Sequence, residues 1–182
     1  MRIIGGKFRS RVLAKFEGED VRPTADRVKE SLFNILSLKI YGANVLDLFS
    51  GSGALGLECL SRGAKKVSFN DLSKDSLAIL KKNLNTLKVD SQEYRLYNYH
   101  FSTCLDVVKE QFDLIFIDPP YAQEFGEIAL KKIADNKLLS EKGIAIYERD
   151  RAFIGEIAGL EKYDERKYGK TYLTFFRNKE SE

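Results

Sequence analysis

The chain has 182 residues, 43% hydrophobic and 31% charged, enough for one α/β domain with a sizeable core and short for two. No apolar run approaches the roughly 18 residues needed to cross a bilayer, and the opening MRIIGGKFRS has no secretory apolar region, so no membrane role is expected. His100 is the single histidine, which excludes a His-rich metal centre or a two-histidine mechanism, and no metal is expected.

The net charge of +3 is only mildly basic, but its distribution is uneven. Arg2, Lys7, Arg9, Arg11 and Lys15 open the chain with no acid among them, which points to a polyanionic partner. Cys59 and Cys104 sit in apolar, helix-like surroundings and read as buried thiols of a reducing cytoplasm.

Residues 1–40 read as an accessory arm rather than a separate domain, and 41–182 as the main domain. RIIGGKFRSRVLAKF predicts a hairpin turning at Gly5-Gly6, whose second strand puts Lys7, Arg9 and Arg11 on one face. RPTADRVKESLFNIL predicts a helix capped by Thr24, with Val28, Leu32, Ile35 and Leu36 as its apolar stripe. Lys7, Arg9 and Arg11, with Arg22 and Arg27 near the helix start, form a candidate phosphate-contacting surface.

Strand-like and helix-like stretches then alternate. ANVLDLF (43–49) predicts a strand, SGSG a turn, and ALGLECLSRG a helix stopping at Gly63. KKVSFND (65–71) is a second strand, and SKDSLAILKKNLNTLK (73–88) a helix capped by Ser73. A third strand is expected near Tyr94–Asn98 and a short helix near Phe101–Glu110. FDLIFID (112–118) is apolar on both faces, as an internal parallel strand should be. A helix near Phe125–Asn136, a strand at 143–149, and a hairpin of Tyr163–Tyr168 with Thr171–Arg177, turned at Gly169-Lys170, complete the pattern. Repeated β-α units of this kind predict a doubly wound α/β sheet, whose ligands bind beyond the carboxyl ends of the strands.

LDLFSGSGALGLE carries Gly51-Ser52-Gly53-Ala54-Leu55-Gly56, a G-x-G-x-x-G between strand and helix. Alone, it fits a dinucleotide site. Asp47 shifts the balance, because a carboxylate before the loop repels a pyrophosphate yet receives an ammonium. S-adenosylmethionine carries an amino group and a sulfonium. Asp71, at the end of the second strand, has the spacing of an acid that holds ribose hydroxyls, a feature of both cofactors.

Two of the chain's three prolines follow Asp118 directly, in DPPY. Pro119 and Pro120 have no N–H, so carbonyls in this stretch can face outward as bare acceptors. An acid, a fixed carbonyl and the flat ring of Tyr121 suit a planar exocyclic amine. The lone pair of such an amine is delocalised, and two well-placed acceptors stabilise the positive charge that grows on nitrogen during attack. Guanine presents N1–H beside its amine, so a carboxylate tilts the choice toward guanine over adenine. An adenine-N6 methyltransferase on DNA or RNA stays open as an alternative. A non-catalytic RNA-binding assembly factor and an NAD-dependent oxidoreductase are weaker ones.

Taken together, VLDLFSGSGALGLE, DPPY, RIIGG and RPTADRVKESLFNIL resemble the bacterial RsmD family of 16S rRNA guanine-N2 methyltransferases, in collinear order from Arg2 to Tyr121. The resemblance implies a Rossmann-like class I methyltransferase fold, S-adenosylmethionine as cofactor and small-subunit rRNA as partner. It implies a catalytic loop of Asp118, Pro119, Pro120 and Tyr121. It also implies cofactor contacts from Asp47, Phe49, Ser50, Gly51, Ser52 and Gly53, with Asp71 and Leu72, and RNA contacts that include Thr24. The family usually has glutamate where this chain has Asp71. After the third strand, NYHFS puts His100 or Phe101 in the adenine position, although His100 reads equally as packing.

Overall fold

The structure, a computed structural model, describes residues 1–16, 23–120 and 123–180, and for Pro23, Thr24, Ala25 and Gln123 the backbone alone. The predicted roles of Arg22 and Tyr121 and the side-chain cap of Thr24 therefore lie outside the described residues.

The strands are β1 (Asn44–Asp47), β2 (Lys66–Asn70), β3 (Tyr94–Tyr97), β4 (Phe112–Ile117), β5 (Leu139–Arg149), β6 (Leu160–Tyr168) and β7 (Thr171–Asn178). They form one seven-stranded sheet in the order β3-β2-β1-β4-β5-β7-β6. β1 to β5 run parallel, and β7 lies antiparallel between β5 and β6. This is the class I methyltransferase arrangement, a mostly parallel sheet ending in an antiparallel hairpin.

Strand alternation divides the core into two layers. Val45, Leu114, Phe116, Ile144 and Ile146 face α1 (Pro23–Ile35), α2 (Ala54–Ser61) and α3 (Lys74–Leu87). Leu46, Ile115, Ile117, Ala145 and Tyr147 face α4 (Phe101–Val107) and α5 (Gln123–Asp135). Residues 114–117 are all at most 1% exposed, because both faces of β4 are covered. β5 begins at Leu139, four residues before the predicted start at 143, because Leu139 pairs with Phe112 across a register shift.

The N-terminal arm departs from the predicted hairpin. Gly5-Gly6 is not the turn between two strands, and Lys7, Arg9 and Arg11 do not share a strand face. Pairing is limited to a bridge between Arg2 and Val12, with residues 7–10 in turns and Ser10 at φ 68°. Long-range bonds override the local turn signal. The N–H groups of Ile4 and Gly5 donate to the Glu58 carboxylate at 2.9 and 2.8 Å, and Lys7 N–H donates to the Ser61 carbonyl. Glycine at 6 is required: φ is +78° and a Cβ would lie 1.9 Å from the Ser61 carbonyl oxygen.

Glu58 is wholly buried, and Lys29 and Arg62 complete its ring of donors at 3.4 and 2.9 Å. Burial lowers the Lys29 pKa, and Glu58 works against that. In α1, Phe33 rather than Ile35 enters the core: Phe33 is 0% exposed and Ile35 is 37% exposed. Ile3 and Leu13 of the arm join the same cluster as Val45 and Phe116, so the arm shares the core of the sheet.

Candidate active site

Order reverses at β1, which has β2 on one side and β4 on the other, so a crevice opens beyond their carboxyl ends. Residues following β1, β2, β3 and β4 meet there, around a cleft of about 640 Å³. Phe49, Gly51, Asp71, Leu72, His100, Phe101, Asp118, Pro119 and Pro120, all singled out in the sequence, line it. Asn70, Ser73, Ser76, Tyr99 and Phe125 also line it and were not predicted.

The glycine loop is held from two sides. Gly51 and Gly53 take φ of +52° and +87°, a region that favours glycine. Gly51 N–H donates to Asp71 Oδ2 at 2.8 Å, while Asp71 Oδ1 accepts from Ser73 N–H at 2.8 Å. A Cβ at Gly51 would meet no protein atom within 4 Å and would project into open space, so the bare backbone there leaves room for a ligand. Asn70 ties the strand ends together, donating to the carbonyls of Leu48 and Tyr99. The buried Ser50 hydroxyl has no hydrogen-bond partner among the described residues.

Aromatic rings form the far wall. His100 caps α4 and packs on Phe101 at 4.5 Å between centroids, and Phe101 lies 5.4 Å from Phe49 and 5.0 Å from Phe125. His100 thus both packs and lines the cleft. Such a wall suits a flat heterocycle.

Asp47, Ser50, Ser52 and Gly53 stand beneath this surface rather than on it. Asp47 is 2% exposed and accepts the Gly56 N–H at 3.0 Å. Burial raises its carboxyl to about 7 against that hydrogen bond, helped by the charges of Asp118 and Asp71.

A second cavity, of about 510 Å³, opens on the other side of Asp118. Met1, Asp26 and Lys29 wall it on one side, Glu148 at the end of β5 on another, and the β6–β7 turn at Gly169-Lys170 on a third. Asp118 lines both spaces. Protein packed around it pushes its carboxyl up to about 6, a push that water in the open cleft screens because the residue is itself exposed. Four carboxylates, Asp47, Asp71, Asp118 and Glu148, thus gather at one sheet edge. Such a grouping favours a cationic ligand and disfavours a pyrophosphate.

The family described as conserved hypothetical protein 95 matches residues 1–177. The chain belongs to this family, that of RsmD. A relative in Haemophilus influenzae, named ribosomal RNA small subunit methyltransferase D, is 41% identical over 156 residues, 83% of this chain and 79% of the relative. The protein of the same name from Escherichia coli strain K12 is 37% identical over 150 residues, 82% of this chain and 75% of the relative. Among solved structures, yhhF from Escherichia coli superposes with a TM-score of 0.86 at 30% identity, covering 100% of this chain and 99% of that one. The RsmD-family match includes the arm as well as the sheet.

Among the described residues, Arg9, Arg11 and Arg27 are exposed, and Arg9 and Arg11 make no ion pair. Lys7 pairs with Glu93 at 2.9 Å. No helix among the described residues is long and apolar enough to cross a membrane.

Proposed function

We propose that this protein transfers a methyl group from S-adenosylmethionine to the exocyclic N2 amine of a guanine in 16S rRNA of the small ribosomal subunit. One observation carries this reading: Asp118 lines two cavities, of which we assign one to the methyl donor and the other to the base. The relatives named small subunit methyltransferase D support the rRNA substrate.

When bound, S-adenosylmethionine supplies a methyl group already activated by a sulfonium. Gly51, Asp71 and Leu72 would hold its ribose side, and Phe49, His100 and Phe101 its adenine. Asp47 favours its cationic end from beneath the loop. The protein's own task is then to present the amine. Asp118 accepts one N–H, the Pro119 carbonyl accepts the other, and Tyr121 stacks on the ring, so the nitrogen turns tetrahedral with its charge already met. The proton left on the product nitrogen passes to Asp118 or to water. Arg9, Arg11, Arg22, Thr24 and Arg27 contact RNA phosphates from residues 1–40, residues 41–182 form the methyltransferase domain, and the enzyme works in the cytoplasm.

The test is transfer of labelled methyl to small subunits from a strain lacking the gene, followed by nucleoside analysis. N2-methylguanosine in 16S rRNA is expected; N6-methyladenosine, or no incorporation, overturns the reading.

A further inference from the structure

β4 and β5 pair in parallel up to Ile117↔Tyr147. One residue further, Asp118 and Glu148 continue the face that carries Phe116 and Ile146, on strands about 4.8 Å apart. Both carboxylates enter the same 510 Å³ cavity, whose other walls come from the arm, α1 and the hairpin turn. No hydrogen bond or ion pair reaches the Glu148 carboxylate among the described residues, although the residue is half-buried. A carboxylate sheltered beside a second one, with no donor of its own, is costly unless a ligand brings the donor.

Resting on the guanine-N2 reading above, we propose that Glu148 is a specificity-determining residue that accepts the N1–H of the target guanine while Asp118 accepts an N–H of the adjacent amine. Guanine places these donors side by side on one edge, and the two carboxylates offer one acceptor to each. Adenine, with a bare nitrogen next to its amine, would set lone pair against lone pair at Glu148. Burial, and then the charge of Asp118, raise the Glu148 carboxyl to about 8, the direction expected of an acid sheltered beside a second acid. Glu148 thus discriminates between bases.

The test uses a base that keeps the 2-amine but exchanges N1–H for an acceptor. Small subunits are reconstituted with 16S rRNA carrying either guanine or 2,6-diaminopurine at the methylated nucleotide. Wild-type enzyme is expected to favour guanine by about a hundredfold in kcat/KM. Glu148→Gln, whose amide can donate to the new acceptor, is expected to cut that preference at least tenfold, with S-adenosylhomocysteine affinity and melting temperature unchanged. Glu148→Ala should lose guanine turnover without gaining diaminopurine turnover, and it decides the matter if the Gln variant does not fold. An unchanged preference in either folded variant overturns the role of Glu148 alone. Wild-type enzyme that makes no N2-methylguanosine overturns this role together with the function on which it rests.

Discussion

Asp71 Oδ2 accepts the Gly51 N–H at 2.8 Å, so the acid proposed to hold the ribose also fixes the glycine loop. Its other oxygen is anchored by Ser73 N–H, and the carboxylate is preset. Asp71→Ala removes both the proposed ligand contact and the brace on Gly51. Charge-assisted hydrogen bonds contribute about 1.5–3 kcal/mol, so S-adenosylhomocysteine should bind roughly 10- to 100-fold more weakly by calorimetry. Equal affinity would mean that the acid only shapes the loop.

The buried Asp47 carboxyl gives the ligand-free protein a distinctive pH dependence. Its folded-state value of about 7 lies above the unfolded value of about 3.9. Between the two, the native state holds more protons, so the stability contributed by this group is present at low pH and is lost as pH rises through about 7. Asp47→Asn keeps an acceptor for Gly56 N–H and removes the titration. The variant should melt higher than wild type at about pH 8 and match it near pH 4. Melting curves that stay parallel across this range would contradict the assignment.

Much of this site was legible in the sequence. FDLIFID ends where two prolines must end a buried strand, and the β-α alternation brings Gly51, Asp71 and Asp118 to one edge. Glu148 does not stand out, because GIAIYER looks like an ordinary strand; its one signal is an acid at the carboxyl end of the strand beside β4. The arm escapes a local reading for a physical reason: Gly5-Gly6 carries a turn signal, but the bonds that decide its path run to Glu58 and Ser61, more than fifty residues away. Phe125 of the aromatic wall comes from the helix that follows Pro119-Pro120, a proximity that periodicity does not encode.

Glu58 ties that arm to α2, and its removal has a definite cost. Glu58→Gln leaves the buried Lys29 without its paired carboxylate, which should destabilise the protein by about 3–5 kcal/mol in denaturant unfolding. Faster hydrogen exchange at Ile4 and Gly5 should accompany the loss, since their amides donate to this carboxylate. Unchanged stability would mean that the arm is held by packing alone.

The arm's cations should differ in their effect on RNA binding. Arg9 and Arg11 are exposed and unpaired among the described residues, whereas Lys7 already meets Glu93. Replacing Arg9 and Arg11 with Ala should lower the slope of log affinity against log salt by about one per residue. Lys7→Ala should change it less. An identical slope in the double variant would remove the arm from the interface.

The central claim is that Asp118, between the two cavities, presents the amine to the methyl donor. Its most direct test is single-turnover methyl transfer by Asp118→Ala alongside S-adenosylhomocysteine calorimetry. We expect transfer to fall by about 10²–10³-fold, the usual loss when a preorganised electrostatic partner is deleted, with cofactor affinity held within a few fold. Turnover equal to wild type in a variant that binds the cofactor normally would contradict it.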